Sequence, residues 1–159
     1  MQLVPPEPAA NFTLTDQNGK PFAFSQTRGQ AVALYFGFTH CKDTCPQTLA
    51  LLGKAREKSH LSPAQARIVM VTVDGRRDSP SALRAFFAKV GVQATGLTGT
   101  PAALQQVYKA YGIGVQPQKN DVAHTDTIFL VDPRGRIVET LAPQASISDI
   151  ASDLHSVVE

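Results

Sequence analysis

The sequence contains few cysteines, few charged residues and no long apolar run, and each of these absences excludes a class of protein. Only two of its 159 residues are cysteines, charged residues make up 18%, and the formal net charge is +2. No apolar run approaches the roughly eighteen residues that a membrane-spanning helix needs. The basic residues lie in short clusters near acids rather than along one stripe, so we expect no nucleic-acid partner. With 43% hydrophobic residues, the chain can bury a substantial core without disulfide staples or a structural metal.

The first ten residues, MQLVPPEPAA, differ in character from the rest of the chain. They lack the charged segment followed by an apolar one that marks a secretion signal. Their proline content is typical of a linker. We therefore expect residues 1–10 to be an N-terminal linker that follows an upstream segment, and residues 11–159 to form one domain.

The remaining sequence alternates strand and helix patterns. NFTLTDQNGKPFAF predicts a hairpin around Asn18-Gly19, and AVALYFGF and ARIVMVTV predict strands that are covered on both faces. Ser79-Pro80 and Thr100-Pro101 predict the starts of two helices, and residues 125–141 predict a second hairpin. This order indicates an α/β protein with a mixed sheet and helices on both faces, which is a thioredoxin-like three-layer fold with an added N-terminal β-hairpin.

Both cysteines lie in YFGFTHCKDTCPQTLALL, where a predicted strand gives way to a predicted helix. A structural disulfide between Cys41 and Cys45 would close so short a loop that it would contribute about 2 kcal/mol, against about 4.7 for a 100-residue loop. The polar neighbours of Cys41 also argue against a purely buried role. At a strand-to-helix turn, thiols lie near the positive end of a helix dipole, which favours the thiolate form. Because a thiolate is both a nucleophile and a metal ligand, redox chemistry and metal binding both remain open.

The spacing of the two cysteines and the positions of the histidines help to decide between redox chemistry and metal binding. Redox proteins of this fold typically carry Cys-x-x-Cys, whereas three residues separate the two cysteines here, which suits either a disulfide or two ligands to one ion. Thioredoxins also carry a cis-proline before the strand that faces their site, and this chain offers His124 there, in DVAHTDTIF. The fold would bring His124 towards the cysteine turn, which is the predicted strand-to-helix turn that holds Cys41 and Cys45. Two thiolates and an imidazole form a soft ligand set that suits copper, with zinc as a competitor.

The other three histidines have weaker claims to a functional role. We expect His60 and His155 to be solvated, and His40 to point away from the cysteines although it adjoins them.

Three segments resemble the Sco/SenC copper-binding proteins, which are involved in assembling the dinuclear copper centre of cytochrome c oxidase. They are YFGFTHCKDTCPQTL, VTVDGRRDSPSALRAFF and AHTDTIFLVDPRGRIV. The resemblance implies that Cys41, Cys45 and His124 ligate copper, as Cu(I) or Cu(II). It implies a metallochaperone whose partner is the copper-centre subunit of cytochrome c oxidase or another copper protein. It also implies a periplasmic or membrane-anchored protein that faces the extracytoplasmic space.

The sequence departs from the family pattern at two positions. Lys42 stands where the family usually has proline, and Ala123 precedes the histidine where many members have aspartate. Without that carboxylate, His124 is held less firmly unless Asp121 or Asp126 replaces it, and a weaker outer shell lowers metal affinity.

The principal alternative is a thiol-disulfide oxidoreductase that reduces the cysteines of a partner protein. In that case Cys41 and Cys45 are a catalytic redox pair and no metal is involved. A peroxidase is not favoured, because its Pro-x-x-x-Thr-x-x-Cys pattern is not met. A third alternative is an interaction module, in which DGRRDSP (residues 74–80) forms a docking surface; capping of the next helix by Asp74 or Asp78 is the simpler role for that segment.

Overall fold

The computed structural model of the protein describes residues 1–40, 44–118, 121–142 and 144–158, leaving out the side chains of residues 44, 45, 121 and 123. Within those ranges the chain forms ten strands and four α-helices. The strands are β1 (Gln2–Pro8), β2 (Thr13–Asp16), β3 (Pro21–Ala23), β4 (Ala31–Gly37), β5 (Ala66–Thr72), β6 (Thr95–Thr98), β7 (Val115–Gln118), β8 (Asp121–His124), β9 (Ile128–Val131) and β10 (Arg136–Leu141). The helices are α1 (Thr44–Lys58), α2 (Pro80–Val90), α3 (Pro101–Ala110) and α4 (Ile147–Val158).

Eight of these strands form one mixed sheet in the order β1-β10-β9-β4-β5-β6-β2-β3. β4, β5 and β6 run parallel to one another, and the other pairs in the sheet are antiparallel. All seven residues of β4 are buried. Continuous apolar strands are expected where a parallel region is covered on both faces, so the centre of this sheet is the core of the protein.

The helices begin where the sequence predicts. The side chains of Ser79 and Thr100 accept hydrogen bonds from the N–H groups of Ala82 and Ala103, and a proline follows each cap. α1 packs with α2 and α4, whereas α3 packs by its aromatic side chains against the buried Phe36 of β4. The thioredoxin-like three-layer fold and the N-terminal hairpin β2–β3 are thus confirmed.

The N-terminal segment differs from its prediction. In place of a linker over residues 1–10, Gln2–Pro8 form β1, which pairs antiparallel with β10 at the edge of the sheet. Proline cannot donate a ladder hydrogen bond and is therefore confined to edge strands, which is where this proline-rich segment lies.

The sequence prediction lacks two features of the structure: the strand β6 and the hairpin formed by β7 and β8. β6 is a four-residue strand, and β7 and β8 form a separate two-stranded hairpin sheet. His124 is the last residue of β8, and three residues lie between it and the start of β9. It therefore ends the small hairpin instead of starting a strand of the main sheet. None of the helices in the described parts of the chain is long and apolar enough to cross a membrane.

Candidate metal centre

The candidate site lies at the edge of the sheet where β4 and β5 end. Gly37 and Thr72 are aligned at the ends of these parallel strands, and the Val73 N–H donates to the Gly37 carbonyl at 2.8 Å. The loop that leads to Cys41 and the loop over residues 73–79 therefore leave the sheet side by side. Ligand sites of open α/β sheets are typically found at this edge.

Asp78 fastens these two loops together. Its carboxylate accepts hydrogen bonds from the Thr39 N–H (3.0 Å), the Thr39 hydroxyl (2.5 Å) and the Thr72 hydroxyl (2.7 Å). Asp78 is completely buried, and a buried carboxylate requires such donors. Thr39 is two residues before Cys41, so Asp78 fixes the chain at the entrance to the cysteine turn.

Neither sequence-based expectation for Asp74 and Asp78 matches these contacts. The cap of α2 is Ser79, and both carboxylates are largely buried rather than displayed as a docking surface. Asp74 pairs with Arg77, whose Nε donates to it at 2.5 Å. The role of Asp78 depends on the pairing of β4 with β5, a long-range contact that the local pattern DGRRDSP does not reveal.

Of the two cysteines, Cys45 belongs to α1, and Cys41 precedes that helix by three positions in the sequence. Cys41 lies outside the described residues, and Cys45 is the second residue of the helix, with its side chain also outside the description. The backbone places Cys45 in the first turn of a helix that begins at Thr44, as the sequence predicts. The exposed N–H groups and positive dipole end of a first helical turn stabilise a thiolate.

His124 lies on the same side of the molecule as this turn. Its imidazole packs edge-on against the ring of Phe38, with 5.9 Å between the ring centroids, and Phe38 is three residues before Cys41. The Nδ1 atom of His124 lies 3.0 Å from the carbonyl oxygen of Thr125. A carbonyl can only accept a hydrogen bond, so this contact requires the proton on Nδ1 and leaves the Nε2 lone pair of a neutral imidazole available to a metal.

Two hydrogen bonds between Gly114 and Thr125 close the open end of the β7–β8 hairpin, which carries His124. The Thr125 N–H donates to the Gly114 carbonyl at 2.9 Å, and the Gly114 N–H donates to the Thr125 hydroxyl at 2.9 Å. Val122 of β8 is buried. These contacts hold the end of β8, and with it His124, at a defined place beside Phe38.

His40 belongs to a second group of possible ligands, with Asp74 and Asp78. One nitrogen or oxygen atom from each residue lies within 4.8 Å of the others, and His40 Nδ1 is 3.8 Å from Asp78 Oδ1. The carboxylates are already engaged, however, by the donors described above. This group is better explained as the hydrogen-bonded support of the turn than as a site for an ion.

The other two histidines lie away from this edge. His60 follows the end of α1 with a positive φ of 62°, and His155 is an exposed residue near the end of α4.

A buried tyrosine, Tyr108, contacts the end of β5 at the candidate site. The Tyr108 hydroxyl donates to the Thr72 carbonyl at 2.5 Å. Burial, together with the negative charges of Asp74 and Asp78, raises the pKa of Tyr108 well above its ordinary value. Tyr108 therefore remains a neutral donor that holds the end of β5, and it takes no part in acid–base chemistry near neutral pH.

The fold is thioredoxin-like, the sequence carries two cysteines between β4 and the first turn of α1, and an imidazole lies beside Phe38, just after the end of β4. These features define a class of proteins that use thiolates for redox exchange or for metal binding. The family model of SCO1/SenC matches residues 3–159. The chain therefore belongs to the SCO1/SenC family, as the three sequence segments predict.

Named relatives agree with this assignment. Mitochondrial protein SCO2 of Saccharomyces cerevisiae is 33% identical over 162 residues, which cover 92% of this chain and 53% of the yeast protein. A putative copper-binding protein of Stutzerimonas stutzeri is 34% identical over 145 residues, which cover 85% of this chain and 70% of the relative. The chain thus spans about half the length of the yeast relative.

Solved structures share the fold. Copper-bound ScoI of Arabidopsis thaliana superposes with a TM-score of 0.87 at 25% identity, over 94% of this chain and 97% of the other. Apo Sco1 of Thermus thermophilus gives a TM-score of 0.85 at 32% identity, over 98% and 94% of the two chains.

Proposed function

We propose that this protein is a copper metallochaperone, which holds one copper ion through the thiolates of Cys41 and Cys45 and the Nε2 atom of His124. The observation that carries the proposal is the position of His124, beside Phe38 and with Nδ1 3.0 Å from the Thr125 carbonyl oxygen. Membership of the SCO1/SenC family and the copper-bound structural neighbours support copper as the cargo.

The orientation of His124 bears on the departure at Ala123, which stands where many family members have aspartate. A metal-binding imidazole needs a partner on its second nitrogen, and that partner can be a backbone carbonyl as well as a carboxylate. The Thr125 carbonyl is in place to do this. The Ala123 departure is therefore compatible with a well-oriented ligand.

The ligand set suits delivery of copper as well as its capture. Two thiolates and one imidazole provide a soft three-coordinate site for Cu(I), whereas Cu(II) favours a fourth ligand in tetragonal geometry. A three-coordinate ion near the surface can pass to incoming ligands by exchange. Oxidation of Cys41 and Cys45 to a disulfide would remove two ligands, so copper loading would depend on the thiol redox state.

The relatives support a physiological setting for the proposed function. SCO1 and SCO2 relatives are mitochondrial proteins, and a structural neighbour from Bacillus anthracis is a lipoprotein. We propose that the domain faces the extracytoplasmic space, anchored to a membrane. Its partner would be the copper-centre subunit of cytochrome c oxidase or another copper protein.

The test is an anaerobic Cu(I) competition titration of the fully reduced protein against a chromophoric chelator. The wild type should hold one Cu(I) per chain, and His124→Ala and Cys45→Ser should each bind at least about tenfold more weakly. His155→Ala removes an exposed imidazole from α4 and is the matched control. Full stoichiometry and affinity in His124→Ala would refute the proposed ligand set.

The second candidate function is thiol-disulfide exchange, which is favoured by two cysteines four positions apart in the sequence of a thioredoxin-like domain. The same variants separate the two functions. His124→Ala should leave the rate of thiol exchange with a disulfide substrate largely intact, because exchange requires only the thiolates. Weak copper binding in the wild type, combined with rapid exchange, would make the protein an oxidoreductase.

A further inference from the structure

A groove of about 740 Å³ lies between the first turn of α1 and the exposed side of α2, next to the cysteine turn. Its volume is in the range of ordinary binding pockets. Thr39 and His40, the last two described residues before Cys41, form one end of it. The remaining wall is largely apolar and consists of Pro46, Ala82, Ala85, Phe86 and Val90, with Lys89 as its one described cation.

A second depression of about 470 Å³ borders the groove and shares Val90 with it. It extends towards Gly53 and Lys54 of α1 and is also lined by Arg56 and Glu57, so its charges are mixed. The end of the groove formed by Thr39 and His40 lies just before Cys41 in the chain, on which the proposed copper site depends.

Among the described residues that line the groove itself, Lys89 is the one cation and none is a carboxylate. Residues 75–90 contain four cations and a single carboxylate, Asp78. Asp78 is completely buried and bound by Thr39 and Thr72, so it does not offset the surface cations. Arg77 is paired with Asp74 and adds little positive charge at the surface. The opposite wall, residues 44–53 of α1, has no charged residue. Lys89 is exposed and forms none of the ion pairs found among the described residues.

We propose that this groove is the docking site for the copper-accepting partner, and that it receives a partner segment with an apolar side chain beside a carboxylate. The apolar side chain would lie against Ala85 and Phe86, and the carboxylate would pair with Lys89. Interfaces obtain most of their affinity from a few such buried anchors, while charges at the rim speed and orient the encounter. This inference rests on the proposed copper-delivery function, because docking here places the partner's own ligands beside Cys41.

The test measures binding and Cu(I) transfer between this protein and the copper-centre domain of cytochrome c oxidase from the same organism. Ala85→Arg fills the groove, and Ala88→Arg makes the same change at an exposed position of α2 that does not line it. Lys89→Glu reverses the rim charge, and Lys109→Glu is its control on α3. Ala85→Arg should raise Kd by about tenfold or more, and Lys89→Glu should slow association and weaken its salt dependence.

Two measurements distinguish a failure of the docking proposal from a failure of the proposed copper site. They are the Cu(I) stoichiometry of each variant and the Kd of each copper-free, reduced variant for the copper-centre domain. If the wild type held no copper, the proposed function would fail, while the Kd values of the copper-free variants would still test the groove. Equal Kd values for Ala85→Arg and Ala88→Arg, or no binding of the domain by the wild type, would overturn the docking proposal. So would a change in self-association by sedimentation velocity confined to the groove variants, since the occupant would then be a second copy of this chain.

Discussion

At the scale of single residues, Asp78 determines how the cysteine turn is held. Its two oxygens accept three hydrogen bonds from Thr39 and Thr72, and it has no exposed surface. Hydrogen bonds to a charged group are stronger than those between neutral groups, and a buried donor that loses its partner is costly. Asp78 is therefore a positioning residue that holds the chain at Thr39, two residues before the proposed ligand Cys41.

Asp78→Asn tests that role. We expect the free energy of unfolding to fall by about 1–3 kcal/mol, because the charge-assisted bonds are lost, and the Cu(I) affinity to fall by about tenfold, because the turn before Cys41 is less well fixed. Chemical denaturation and chelator competition measure the two effects. Asp74→Asn is the control, since Asp74 pairs with Arg77 and does not contact Thr39. Wild-type copper affinity in Asp78→Asn would contradict this role.

Glu139 is a second residue with a specific electrostatic environment. Burial, a hydrogen bond with Asp153 on α4 and the negative charges of Asp153 and Asp149 raise the pKa of Glu139, while the N-terminal amine acts in the opposite direction. The folded state therefore binds a proton at Glu139 more tightly than the unfolded state does. The contribution of this group to stability increases as the pH falls through the raised pKa, and it is complete below the ordinary pKa of glutamate.

Glu139→Gln should therefore stabilise the protein near neutral pH, by a few tenths to about 1 kcal/mol. The difference from the wild type should shrink as the pH is lowered, since the wild-type carboxyl group then becomes neutral as well. Denaturant titrations at a series of pH values measure this. Glu7→Gln, at an exposed position of the neighbouring strand β1, is the control. A difference that did not change with pH would show that the carboxyl pair is not the cause.

At the scale of elements, local signals were sufficient for most of the fold. Proline after a Ser or Thr cap marks the starts of α2 and α3, Asn18-Gly19 marks the first hairpin, and continuous apolar runs mark β4 and β5. Two kinds of element could not be predicted in this way. β1 has the composition of a linker and is a strand only because β10 offers an edge, and β7 and β8 are four-residue strands that pair only with each other.

The cap of α2 provides a test at this scale. Ser79→Ala should lower the free energy of unfolding by about 1 kcal/mol, because the Ala82 N–H loses its side-chain acceptor. Thermal or chemical unfolding measures this, with Ser156→Ala, at an exposed position of α4, as the control. Equal stability of the two variants would mean that the Ser79 cap contributes little to the helix.

At the scale of the whole molecule, the topology brings the parts of the candidate site to one edge of the sheet. The parallel pairing of β4 with β5 sets residues 38–40, just before Cys41, beside the 73–79 loop, and the β7–β8 hairpin brings His124 to Phe38. The sequence motifs were sufficient to predict the three ligands, which remain a prediction. They could not reveal Asp78 or the Thr125 carbonyl as supports, because those contacts depend on how distant segments and backbone groups meet.

The central claim is that copper is held by two sulfur atoms and the Nε2 atom of His124. X-ray absorption at the copper edge, on the reduced protein loaded with one equivalent of Cu(I), tests it most directly. We predict two sulfur scatterers and one imidazole nitrogen in the wild type, and loss of the imidazole in His124→Ala. An imidazole signal that persists in His124→Ala, or a shell without two sulfur atoms in the wild type, would contradict the claim.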